Sequence, residues 1–103
     1  MSVKHIVGSE FNSAVLQSSK PTLVDFYAEW CVPCKRISSV LEELSQTHSN
    51  VEFVKVDVDA ESELASNYNV SSIPTLMFFK NGEPVNQVIG AVSKTDVEKL
   101  ISS

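Results

Sequence analysis

The chain has 103 residues, 43% of them hydrophobic and 20% charged, with a formal net charge of −5 at pH 7. That length is enough for one core, so a single domain over residues 1–103 is expected, without extra staples. The mild acidity argues against nucleic acid or an anionic membrane surface as main partner, since both need basic patches. No apolar run could span a bilayer, and Met1–Glu10 has none long enough for a signal peptide.

Val3–Val7 reads as a short extended segment. Ser9 is placed to cap a helix to about Ser18, with Phe11, Val15 and Leu16 on one face, and Pro21 ends it. Thr22–Ala28 reads as a strand buried on both faces, because Leu23, Val24, Phe26 and Tyr27 fill both parities. Asp25 is the exception inside that run. From Val32 to about His48 the apolar residues Ile37, Val40, Leu41 and Leu44 recur at helical spacing. Val51–Val58 is a second buried strand, and Ala60–Tyr68 a short helix with Leu64, Ala65 and Tyr68 inward. Pro74–Lys80 and Val85–Ile89 form a hairpin across Asn81-Gly82, where both positions tolerate positive φ. Pro84 places the second of these strands at a sheet edge, where a missing N–H is tolerated. Ser93 caps the last helix with Asp96 at the capping-box position, and Val97, Leu100 and Ile101 point inward. The order is βαβαβα, a hairpin and a final helix. The strands joined by helical crossovers are parallel, and the hairpin adds antiparallel ones.

Both cysteines stand in one C-x-x-C, Cys31 and Cys34, between the buried strand and the long helix. Backbone N–H groups at a helix start lack intrahelical partners, and the helix dipole is positive there. A thiolate at Cys31 is favoured in that setting, with Lys35 and Arg36 close by, and the thiolate is the form that attacks sulfur. Three plainer readings compete. Half of a zinc site needs four ligands, and neither His5 nor His48 sits at a paired spacing. A structural disulfide across so short a loop stabilises by only about 2 kcal/mol before strain is subtracted. Two idle buried thiols fit poorly beside Glu29, Pro33, Lys35 and Arg36. Two clustered thiols with none to spare suit a redox motif in a reducing compartment, hence a cytoplasmic location.

At Trp30-Cys31-Val32-Pro33-Cys34 the pattern resembles the thioredoxin family, over almost the whole chain. The supporting residues are Val24-Asp25-Phe26-Tyr27-Ala28-Glu29, Lys35, Val56-Asp57-Val58-Asp59, Ile73-Pro74-Thr75, Phe79-Lys80-Asn81-Gly82, Gly90-Ala91 and Ser93-Lys94. The resemblance implies an α/β thioredoxin fold, a central five-stranded mixed sheet flanked by four helices. It implies general protein disulfide reduction with no bound cofactor and no metal, as a monomer. The oxidised protein is then recycled by thioredoxin reductase, a flavoprotein that draws on NADPH, and clients include peroxiredoxins. Two positions depart from the family pattern: Val32, usually Gly, and Ser39, usually a kinking Pro.

Within that reading Cys31 is the nucleophile and the more exposed thiol, thioredoxins being themselves the usual illustration of a lowered C-x-x-C thiol pKa. Cys34 resolves the mixed disulfide. Asp25, costly to ionise among apolar neighbours, is the candidate proton acceptor with a raised pKa. The alternative is an aspartate that bends to solvent or bonds backbone. Lys55, on the next strand, either pairs with Asp25 or reaches round to solvent. The Ile73–Pro74 bond has a bare cis frequency of about 5–6%, and the resemblance implies cis. The resemblance also implies that the Ile73–Pro74 loop faces the C-x-x-C and pairs its backbone with a target peptide, so Pro74 counts among the substrate-binding residues. Trp30, Val32, Pro33, Ile73, Ile89, Gly90 and Ala91 would then form an apolar, substrate-binding collar around Cys31. His5 and His48 read as surface residues. A thiol oxidase or isomerase, or a binding module using the fold without redox turnover, is the alternative function.

Overall fold

The computed structural model describes residues 2–103. Five strands, β1 (Lys4–His5), β2 (Thr22–Tyr27), β3 (Glu52–Asp57), β4 (Thr75–Lys80) and β5 (Glu83–Ile89), form one sheet in the order β1-β3-β2-β4-β5. The β1–β3 and β2–β3 pairs are parallel, and β2–β4 and β4–β5 are antiparallel. Every residue of the central strand β2 is buried, as its double-parity apolar pattern requires.

Three α-helices, α1 (Val32–Thr47), α2 (Ser62–Asn67) and α3 (Lys94–Leu100), and one irregular helical segment flank the sheet. On one face Leu23, Phe53, Leu76 and Phe78 pack against Ile37, Leu41 and Leu44 of α1 and Val97 and Leu100 of α3. On the other, Val24, Phe26, Val56 and Phe79 pack against Phe11 and Val15 of the irregular segment, with Leu64 and Tyr68 beside them. Phe11, Tyr68 and Phe79 meet there edge-on or tilted, with ring centroids 5.4–5.7 Å apart. Helix α1 runs unbroken through Ser39.

The first helix departs from the expected continuous one. It is a 3-10 turn over Gly8–Glu10 followed by a π turn over Asn12–Leu16, and Ser9 lies inside the first turn and does not cap it. The Glu10 carboxylate accepts from the Val7 N–H at 3.0 Å, which moves the helix start ahead of Ser9. The Ser13 hydroxyl donates to the Glu10 carbonyl at 3.1 Å, a side-chain competitor for the helical ladder. Elsewhere the local signals hold. Ser93 and Asp96 form the capping box, with Ser93 Oγ accepting from the Asp96 N–H at 3.2 Å. Asn81 and Gly82 both have positive φ, 54° and 80°. A Cβ at Gly82 would stand 2.8 Å from the Leu16 carbonyl, so glycine is needed there twice over. Pro84 lies within the edge strand β5, beside a register shift at Phe78/Phe79.

Candidate active site

Helix α1 begins where β2 ends, and this junction builds the site. Cys31 is the N-cap of α1, with extended backbone, and its Sγ accepts from the Cys34 N–H at 3.2 Å. Pro33 occupies the first turn, where its missing N–H has no intrahelical role. Cys31 and Cys34 are joined as a disulfide, with Cα atoms 5.2 Å apart. Both are buried, at 4% and 3% exposure, so the expected difference in exposure between the two thiols is absent from this oxidised form. They pack with Tyr27 and Ala28, and Val58 and Ile73 close over them.

Below the disulfide the sheet carries a row of polar residues. The register aligns His5 with Lys55 and Lys55 with Asp25, so the three lie side by side across β1, β3 and β2. Asp25 is 1% exposed, and its Oδ1 is buried without a hydrogen-bond partner. Burial raises the Asp25 pKa to about 7, against a smaller opposing pull from the Lys55 charge. A cavity of about 90 Å³ joins Asp25 to Cys34 and opens between Glu29, Lys35 and Lys55. Lys55 does not ion-pair with Asp25: among the described residues the ion pairs are Lys20–Glu52 and Lys94–Glu43. Its ammonium lies over the Tyr27 ring, 5.3 Å from the centroid.

Above the disulfide the surface is apolar. Trp30 is 69% exposed, Val32 58% and Ile89 54%. Pro33 and Ala91 are also exposed, and Ile73 and Gly90 are half-buried. The Ile73–Pro74 bond is cis, and the Pro74 carbonyl accepts from the Gly90 N–H at 2.8 Å. This ties the Ile73–Pro74 loop to the Gly90–Ala91 loop, while Ile73 reaches the cysteine pair. Trp30 is anchored by a contact that its apolar surroundings did not signal: Nε1 donates to Asp59 Oδ2 at 2.7 Å. Asp57 Oδ1 in turn accepts from the Asp59 N–H at 2.9 Å and so orients that carboxylate.

Of the two histidines, His5 stands at the end of the polar row and His48 lies away from the site. His5 is exposed, its ring meeting Tyr27 edge-on at 6.2 Å. His48, expected at the surface, is half-buried, with Nδ1 3.0 Å from the Leu44 carbonyl at the end of α1. Among the described residues no group of three or more His, Cys, Asp or Glu side chains is gathered as a metal site requires. No helix there is long and apolar enough to cross a membrane.

A disulfide at a helix start, above a buried carboxyl and below an apolar rim, defines a protein of the dithiol–disulfide exchange class. Comparison with known proteins agrees. The family model described as Thioredoxin matches residues 2–103. Thioredoxin 1 of Synechococcus elongatus is 47% identical over 97 residues, covering 93% of this chain and 91% of that protein. Thioredoxin of Porphyra purpurea is 40% identical over 103 residues, covering 99% and 96%. Thioredoxin of Mycobacterium tuberculosis is 43% identical over 98 residues, covering 94% and 84%. A solved chain superposes with a TM-score of 0.88 at 34% identity, covering 98% of this chain and 94% of its own. It comes from work on the thiol resolving mechanism in yeast mitochondrial 1-Cys peroxiredoxin via glutathione/thioredoxin systems. The chain belongs to the thioredoxin family. It is a thiol–disulfide oxidoreductase, a protein-disulfide reductase of a family that needs no bound cofactor. Membership implies a reductase and disulfide-bearing clients as partners.

Proposed function

We propose that the chain reduces protein disulfides with Cys31 as nucleophile, Cys34 as resolving thiol and Asp25 as proton acceptor. The Cys31 thiolate attacks one sulfur of a client disulfide; a mixed disulfide forms and the other client sulfur leaves as thiolate. Cys34 then gives its proton to the Asp25 carboxylate and attacks Cys31 Sγ. The Cys31–Cys34 disulfide forms, the second client thiolate departs, and two electrons have passed to the client. Protons returned from Asp25 and solvent neutralise the client thiolates.

The observation that carries this reading is the buried Asp25 carboxyl, its Oδ1 without a hydrogen-bond partner, in the same cavity as Cys34. A carboxyl with a pKa of about 7 is divided between acid and base near neutrality, which is where a proton acceptor works best. Trp30, Val32, Pro33, Ile73, Ile89, Gly90 and Ala91 form the docking rim, supported by the exposed apolar surface of Trp30, Val32 and Ile89, and the buried Pro74 shapes the loop that carries Ile73. Lys55 acts on Asp25 through space. The protein works as a single-domain monomer in the cytoplasm, away from nucleic acid. A flavin-containing, NADPH-dependent thioredoxin reductase regenerates the dithiol, and peroxiredoxins are among the clients. The test is NADPH-coupled reduction of a small disulfide-bridged protein. Turnover is expected only when reductase and this chain are both present, and persistence of turnover in Cys31→Ser contradicts the assignment. A strongly oxidising potential would point instead to an oxidase or isomerase.

A further inference from the structure

Lys55 and Asp25 sit directly opposite one another on neighbouring parallel strands, with side chains on the same face of the sheet. At that strand spacing, close to 4.8 Å, a lysine has ample length to reach the carboxylate. It does not do so. Its ammonium lies 5.3 Å from the centroid of the Tyr27 ring, and Asp25 Oδ1 is left without a partner.

The Tyr27 ring is itself buried, and the His5 ring meets it edge-on at 6.2 Å. Tyr27, Glu29, Lys35 and Lys55 line the cavity that leads down to Asp25 and Cys34. We propose that Tyr27 is a positioning residue of the redox site: its ring parks the Lys55 ammonium at the cavity mouth, so that the Asp25 carboxyl stays without a cationic partner. The attraction is between the ring face and the cation, and it leaves the ammonium in reach of water. Moving it inward would strip that hydration for one buried ion pair.

The charged and titratable groups around Asp25 are Tyr27 on its own strand, Lys55 and Asp57 on β3, His5 on β1, Glu29 in the connecting loop, and Cys34 and Lys35 on α1. Of these, Lys55 is the group whose approach would convert a poised base into a permanent carboxylate. The inference rests on Asp25 acting as the proton acceptor for Cys34.

The test follows the Asp25 carboxyl directly, by carbon NMR across pH, in wild type, Tyr27→Phe, Tyr27→Leu, Lys55→Met and Tyr27→Leu/Lys55→Met. Phenylalanine keeps the ring face and should keep the wild-type midpoint. Tyr27→Leu frees Lys55 to pair, and the midpoint should fall by about one unit or more. In the Lys55→Met background the same Leu substitution should leave the midpoint unmoved. A fall of equal size in that background would mean that Leu merely wets the cavity, and the proposal fails. In the wild type, Lys55 ε-methylene protons should be shifted upfield by the ring; unshifted protons overturn the proposal even if no variant folds. The proton-acceptor role is read separately, from the pH profile of mixed-disulfide resolution. A resolution rate indifferent to the Asp25 midpoint would overturn that role while leaving the parking of Lys55 intact.

Discussion

The rim and the floor of the redox site break the ordinary rule of burial in opposite senses. At the rim, Trp30, Val32 and Ile89 expose large apolar side chains around the disulfide. On the floor, Asp25 is a fully buried carboxyl with an orphaned oxygen. An exposed apolar group gives up only the hydrophobic stabilisation it would gain by burial, and a docked client restores it. A buried carboxyl destabilises the fold whenever it ionises, and no client relieves that. The rim therefore sets which disulfides are met, and the floor sets the proton chemistry that follows.

Changes at the floor should alter the chemistry with every substrate alike, and changes at the rim should alter preference between substrates. The largest effect is expected from Cys34→Ser, which keeps attack and removes resolution. Mixed disulfides with client proteins should accumulate and turnover should stop. Cys31→Ser should trap none; adducts in equal amount would mean that the assignment of attacking and resolving thiols is wrong.

Asp25→Asn should come next. Loss of the base should slow resolution by roughly 10²-fold or more, within the usual range for a positioned proton acceptor. Stability should respond too. The folded pKa, about 7, lies above the unfolded value near 3.8, so the folded chain holds a proton that the unfolded chain has lost. Stability of the wild type therefore falls as pH rises from about 4 to about 7, and levels off above the folded pKa. Removing the carboxyl lifts that penalty, which is at most roughly 4 kcal/mol for a shift of this size. The variant should thus gain on wild type between pH 4 and pH 8 in denaturant titrations. An unchanged gap would mean that Asp25 is paired after all.

Trp30→Ala should leave resolution intact and lower kcat/KM for protein substrates by about tenfold, the effect of removing one docking aromatic worth more than 1 kcal/mol. The Trp30–Asp59 hydrogen bond contributes only about 1 kcal/mol to the fold, so denaturation midpoints should move little. An equal loss with a small dithiol-reactive reagent would show that Trp30 acts on the disulfide itself.

Val32→Gly should be the smallest in energy. Valine keeps the backbone N–H groups at the helix start, so the thiolate environment is preserved. The backbone restriction it adds is of order 0.5–1 kcal/mol, about 10–20 mV for a two-electron couple. Rates with two unrelated disulfide proteins should change by different factors, because a branched side chain 58% exposed at the rim meets them differently. A potential shift well beyond about 30 mV with constant rate ratios would move Val32 from the rim to the chemistry.

Much of this layout was legible in the sequence because local signals and burial agree. The doubly apolar run of Thr22–Tyr27, the Asn81-Gly82 turn and the Ser93/Asp96 cap each name one structure. The segment around Ser9 did not, because Glu10 and Ser13 offer the backbone competing partners, and short segments are decided by such contacts. The Trp30–Asp59 contact spans 29 residues, and only the fold brings β3 and the active-site turn together. The side chain of Lys55 was ambiguous for the same reason. Its register opposite Asp25 follows from the strands, but the Tyr27 ring that holds it is a competitor no spacing reveals.

The central claim is that the floor is a proton acceptor for Cys34, and one measurement addresses it most directly. Resolution of a preformed mixed disulfide at Cys31 is timed in single turnovers from pH 5 to pH 9, in the wild type and in Asp25→Asn. The wild-type rate should rise through a midpoint near pH 7, where Asp25 loses its proton. In Asp25→Asn that step should vanish, leaving a slower rate that climbs only with the ionisation of the thiol itself. A step that persists unmoved in Asp25→Asn would contradict the account, since another group would then be taking the proton.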